Sequence, residues 1–94
     1  MEHFKKLVKY SMKLITEADE YAGMYNESND SICKEVYYAL ANGHMDMYLK
    51  VRGAITNMVN KIKDSDNNSS VDVIWEFLKD TEDELLDRVK NKIK

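Results

Sequence analysis

The segment YYALANGHMDMYLKV, residues 37–51, decides between two architectures for this chain. Its Asn42-Gly43 pair is typical of a helix end or a turn, although the residues on both sides have helical character. A stripe nevertheless continues through the pair at alternating steps of four and three residues: Tyr37, Ala41, His44, Tyr48, Val51, Ile55, Met58 and Ile62. Because a turn would reset this phase, the spacing predicts one helix over about 31–63, and Gly43 would allow a kink in it. Two shorter helices are the alternative.

Two further helices are predicted on either side of this one. The first covers about 4–25, where apolar residues and Ser11 form one stripe, and the third covers about 71–92. Thr81 and Glu82 interrupt the apolar stripe of the third helix. The segments NESND (26–30) and DSDNNSS (64–70) are rich in turn-forming residues. Asp30 or Ser31 is expected to cap the second helix, and Ser69 with Asp72 resembles a capping box.

The short connections predict an all-α fold, an antiparallel up-down-up bundle of three long helices in a single domain over 1–94. The chain has no proline, 44% apolar residues and 33% charged residues, which is typical of a globular or coiled-coil protein. No apolar run approaches the length of a membrane span, about 20 residues, and no signal peptide is evident. We therefore expect a cytoplasmic, soluble protein with no membrane partner.

The residues that usually carry chemistry are sparse. Cys33 is the only cysteine, and no Glu-x-x-His motif or glycine-rich loop is present. No metal site, cofactor or catalytic residue is predicted, so we expect a protein that is not an enzyme. The chain has only two arginines and a net charge of −3, which argues against nucleic acid as a partner. His44 lies where an apolar residue is expected; it is either a semi-buried, hydrogen-bonded histidine or a pH-sensitive, ligand-contacting residue.

The composition favours a binding surface instead. The chain contains six tyrosines and six methionines, residue types that supply adaptable contact area at interfaces. The second helix is predicted to outrun its neighbours by about ten residues, which leaves apolar surface for another chain. The candidate interaction residues lie around its centre: Tyr37, Tyr38, His44, Met45, Met47 and Tyr48.

Together these features predict a helical interaction or regulatory protein that forms a homo-oligomer and binds an unidentified protein partner. Small proteins of this kind are often regulators or inhibitors, including those that belong to phages and mobile elements. The alternative is a small-ligand protein that binds a nucleotide or another anion at a protomer interface. In that case the site would include His44, Tyr37, Tyr48 and nearby lysines.

Overall fold

A computed structural model shows three helices: α1 (Glu2–Glu27), α2 (Ser31–Asp66) and α3 (Ser69–Lys92). The structure describes residues 2–66 and 69–93, with the side chains of 3–62, 73 and 75–93. Within these residues the chain is all-helical apart from 28–30 and a turn at Ile93, and no strand occurs. The predicted all-α class and the number of helices are confirmed.

α2 continues through Asn42-Gly43, as the phase of its stripe predicted. Asp30 caps its start, since the Ile32 backbone N–H donates to Asp30 Oδ1 at 2.9 Å. Every predicted stripe position of α2, from Tyr37 to Ile62, is buried or half-buried. A continuous helix of 36 residues spans about 54 Å, which accounts for the 53 Å long axis of the molecule.

The predicted connection at 64–70 is too long. α2 extends to Asp66 and α3 already begins at Ser69. No proline or glycine follows Lys63, and the polar residues that do follow lower helix propensity without forbidding the helix. The side chains of Ser69 and Asp72, and with them the predicted capping box, lie outside the described residues.

Contacts between the helices give their directions. Glu17 meets His44 and Phe4 packs with Ile55, so α1 and α2 run antiparallel. Ser11 meets Glu82, while Asp19, further along α1, meets Lys92. α3 therefore runs parallel to α1, and the packing is consistent with an up-down-up bundle.

The apolar core has two parts along the long axis. The larger cluster joins the second half of α1, the first half of α2 and the end of α3: Leu14, Ile15, Ala18, Ala22, Ala41, Met45, Tyr48, Leu86 and Val89. The smaller cluster closes the opposite end: Phe4, Ile55, Val59 and Trp75. Ser11 and Glu82, both fully buried, lie between the two clusters along their helices.

Candidate functional site

A buried polar network connects the three helices between the two core clusters, at the level of Ser11 and Glu82. Glu82 of α3 is 0% exposed, and its Oε1 accepts from Ser11 Oγ at 2.7 Å. Its Oε2 accepts from the Tyr48 hydroxyl at 3.0 Å. Tyr48 Oη in turn accepts from Arg52 Nη1 at 3.1 Å, and Arg52 forms an ion pair with Asp83 at 2.6 Å. Each carboxylate oxygen of Glu82 thus has a hydroxyl donor from a different helix, as a buried charge requires.

The network shifts the protonation equilibria of two of its members. Burial raises the pKa of the Tyr48 hydroxyl, and the negative charge of Glu82 acts in the same direction. Burial acts to lower the pKa of Arg52, but its hydrogen bond to Asp83 and further favourable contacts leave that pKa raised. Tyr48 therefore stays neutral and donates to Glu82. The network orients α3 on the other helices, which is a structural role.

His44 has partners at both ring nitrogens. Nδ1 donates to the Leu40 carbonyl at 2.8 Å, and Nε2 lies 3.0 Å from Glu17 Oε2. The Tyr21 ring packs against the imidazole with a centroid distance of 5.2 Å. The carboxylate of Glu17 is half-buried against His44. Since a carbonyl and a carboxylate face the two nitrogens, the geometry suits an anchored histidine rather than one open to a ligand.

An aromatic layer follows at the end of the bundle where α2 begins. The rings of Tyr21 and Tyr37 stack at 6.5 Å, and those of Tyr25 and Tyr38 meet at 5.7 Å. Lys34 Nζ lies 4.3 Å from the centroid of the Tyr25 ring. An open depression of about 420 Å³ borders this layer. Its aromatic walls already contact each other or Lys34, so the layer closes the end of the bundle.

A second depression lies between α1 and α2. This groove of about 320 Å³ is lined by Tyr10 and Leu14 of α1 and, among others, by Leu40, Gly43, His44 and Met47 of α2. Tyr10 and Met47 are each 45% exposed. A Cβ atom built on Gly43 would meet nothing within 4 Å, so the floor of the groove is open there.

The apolar surface of the groove continues along α2 towards its start. Val36 and Ile32 lie one and two turns before Leu40 and are both exposed, Ile32 at 71%. We call this surface the groove face and define it by Tyr10, Ile32, Val36, Leu40, Gly43 and Met47. It follows α2 for about 22 Å, from residue 32 to residue 47. An apolar surface of this kind on a small monomer often marks a contact with another molecule.

The structure separates the six predicted interaction residues. Met47 lies in the groove face, and His44 forms part of the groove wall. Tyr37 and Tyr38 belong to the aromatic layer at the end of the bundle. Met45 and Tyr48 are buried in the larger core cluster and contact their own chain. Ile32 and Val36 belong to the groove face but are not among the residues predicted from the sequence, although they already follow a four-residue spacing with Leu40.

In the described part of the chain, no group of three or more His, Cys, Asp or Glu residues could hold a metal ion. None of the helices, over the same residues, combines the length and apolarity needed to cross a bilayer. Comparison with protein-family models, curated proteins and solved structures finds no match for this chain.

Proposed function

We propose that this chain is a non-enzymatic helical interaction protein of the regulatory or inhibitor type, which self-associates and binds a protein partner. The observation that carries the proposal is the groove face. It is a continuous apolar strip on the longest helix, next to an open groove. Covering such a strip removes apolar surface from water, with a gain of about 25 cal/mol per Å².

The chemistry of the strip fits a protein contact. Methionine and tyrosine adapt their shape to a partner side chain, and aliphatic residues add apolar area without hydrogen-bonding demands. An amphipathic helix laid in a groove uses anchors at three- and four-residue spacing, which is the spacing of Val36, Leu40, Gly43 and Met47. The occupant that suits the groove is therefore a helix from another protein chain.

Binding of a small anion around His44 has less support. Both ring nitrogens of His44 are engaged, by Leu40 and Glu17, and Tyr48 donates to the buried Glu82. A ligand at this place would have to break these contacts before it gained its own.

The proposal can be tested with two substitutions of the same kind. Met47 and Leu49 lie two residues apart on α2 and are 45% and 48% exposed, but only Met47 lines the groove. The protein is purified from cells without added ligand, and its mass is measured by native mass spectrometry. We expect a mass above that of the 11.0 kDa chain, from a second copy or a bound protein.

The variant Met47→Glu should release this additional mass, because it places an unpaired charge in the covered strip. The variant Leu49→Glu should retain it. A bare 11.0 kDa chain for the wild-type protein would contradict the proposal, as would equal loss of mass in both variants.

A further inference from the structure

The surface beside the groove face has opposite charges at its two ends. Lys6 and Lys13 lie on the outer side of α1 together with Tyr10, and Lys50 follows Met47 on α2. Because α1 and α2 are antiparallel, these lysines all lie on the side of Gly43 that is towards the start of α1. All three side chains are exposed.

The other end of the same surface is acidic. Glu20 and Glu27 lie on the later half of α1, and Glu35 lies next to Val36 near the start of α2. These three carboxylates are exposed as well. Gly43 lies on α2 between Glu35 and Lys50, so the carboxylates named here and the three lysines lie on opposite sides of Gly43; Asp46 is an exposed carboxylate on the side of the lysines.

Such a surface is complementary to itself when one copy is turned end over end. A two-fold axis across the helices and beside Gly43 brings the basic end of one copy over the acidic end of the other. The same axis places Ile32 opposite Ala54 of the second copy, and Ala39 opposite its Met47. The open space at Gly43 allows the two α2 backbones to approach closely at the axis.

We propose that the occupant of the groove face is a second copy of this chain, bound antiparallel with its two-fold axis beside Gly43. This inference rests on the proposed function and names the partner. Each α2 lies along the α2 of the other copy, and Lys50 of each copy pairs with Glu35 of the other. The aliphatic part of Lys50 covers Val36 of the second copy, while its ammonium group reaches the neighbouring carboxylate.

The inference is tested by exchanging the charges at the two ends. Within one chain, Lys50 and Glu35 are about 22 Å apart along α2, too far to contact each other. If a change of charge at one position compensates for a change at the other, the two residues must therefore belong to different copies. One variant carries Lys6→Glu with Lys50→Glu, and the other carries Glu27→Lys with Glu35→Lys. The four side chains are exposed, so helix content by circular dichroism should equal that of the wild-type protein.

Dimer formation is then measured by sedimentation equilibrium in low salt. Each variant alone brings like charges together and should dimerise at least roughly tenfold more weakly than the wild-type chain. An equimolar mixture should recover dimers, and native mass spectrometry should identify them as one copy of each variant. Unchanged dimerisation of the single variants, or a mixture that does not recover, would overturn the antiparallel arrangement.

The two glycines of α2 that face open space provide a second, independent measurement. A Cβ atom at Gly43 or at Gly53 meets nothing within 4 Å, so glutamine is tolerated by the fold at both positions. Gly43→Gln should weaken the dimer because its side chain fills the groove at the axis, whereas Gly53→Gln, ten residues from the axis and outside the groove, should weaken it less. Equal dimerisation of the two glutamine variants would overturn the position of the axis.

The outcomes separate this inference from the proposed function. A wild-type chain that is monomeric alone, but carries a different bound protein from cells, would overturn the second copy and the self-association, and would leave the binding of a protein partner standing. A monomer without any bound protein would overturn both.

Discussion

The substitution Tyr48→Phe tests the buried network with the smallest change of shape. It removes one hydroxyl that donates to Glu82 at 3.0 Å and accepts from Arg52 at 3.1 Å. Arg52 keeps its ion pair with Asp83, but Glu82 loses one of its two hydroxyl donors. Because Glu82 is fully buried, water cannot replace that donor without opening the core.

The expected cost follows from the kind of bond that is lost. A hydrogen bond to a charged group contributes about 1.5–3 kcal/mol, so Tyr48→Phe should lower the free energy of unfolding by about 2 kcal/mol. For a domain of this size, that corresponds to a fall in Tm of roughly 8–16 °C. Urea unfolding followed by circular dichroism at pH 7 gives the free energy directly.

Tyr37→Phe is the matched control on the same helix. The Tyr37 ring stacks on Tyr21, and among the described residues its hydroxyl forms no hydrogen bond. Its loss should change stability by less than about 0.5 kcal/mol. Equal effects of Tyr37→Phe and Tyr48→Phe would refute the reasoning, since only Tyr48 donates to a buried carboxylate.

Comparison of the wild-type chain with Tyr48→Phe also tests how the stability depends on pH in the alkaline range. Burial and the charge of Glu82 raise the pKa of Tyr48 in the folded chain above its ordinary value. In the unfolded chain the Tyr48 hydroxyl ionises near pH 10. The stability that its raised pKa contributes is therefore complete below about pH 10 and is lost as the pH rises further. The loss amounts to about 1.4 kcal/mol per pH unit. The difference in stability between the wild-type chain and Tyr48→Phe should therefore narrow between pH 10 and pH 12; a constant difference would contradict the shift.

Three further predictions concern single contacts. Asp30→Ala should lower the free energy of urea unfolding by about 1 kcal/mol, because the cap of α2 is lost. Asp30→Asn should retain most of the stability that the cap provides. Gly53→Ala should raise the stability by about 0.5–1 kcal/mol, since the new Cβ meets open space within a helix; a loss would mean that this space is filled. His44→Phe should lower the free energy of unfolding by about 1 kcal/mol, because its hydrogen bonds with Leu40 and Glu17 are lost; an unchanged free energy would mean that these contacts do not stabilise the fold.

The periodicity of the sequence was sufficient to predict the helices. The stripe of α2 kept its phase through Asn42-Gly43, because the rotation per residue of a helix is the same on both sides of a glycine that lies off the packed face. Ser11 was recognised as a stripe position of α1, and it is buried. The connection between α2 and α3 was less predictable, because polar residues such as Asp64 and Ser69 occur both in loops and in the terminal turns of helices.

The polar contacts between helices could not be read from one segment at a time. In the sequence Glu82 is only an interruption of the α3 stripe. Its hydrogen-bond donors, the hydroxyls of Ser11 and Tyr48, are 71 and 34 positions away. The available signal was the presence of two polar residues, Ser11 and Glu82, within otherwise apolar stripes. The contact between Glu17 and His44 is hidden from the sequence for the same reason, because the two residues belong to neighbouring helices.

The central claim is that another protein chain covers the groove between α1 and α2. A photo-reactive benzophenone amino acid in place of Tyr10, inside cells, tests it most directly, with Phe77 on α3 as the control position. Both native residues are exposed aromatics, at 45% and 73%, but only Tyr10 lines the groove. The account predicts a cross-linked product with twice the 11.0 kDa chain mass from position 10, and little product from position 77. The absence of any protein adduct at position 10, or equal yields at the two positions, would contradict it.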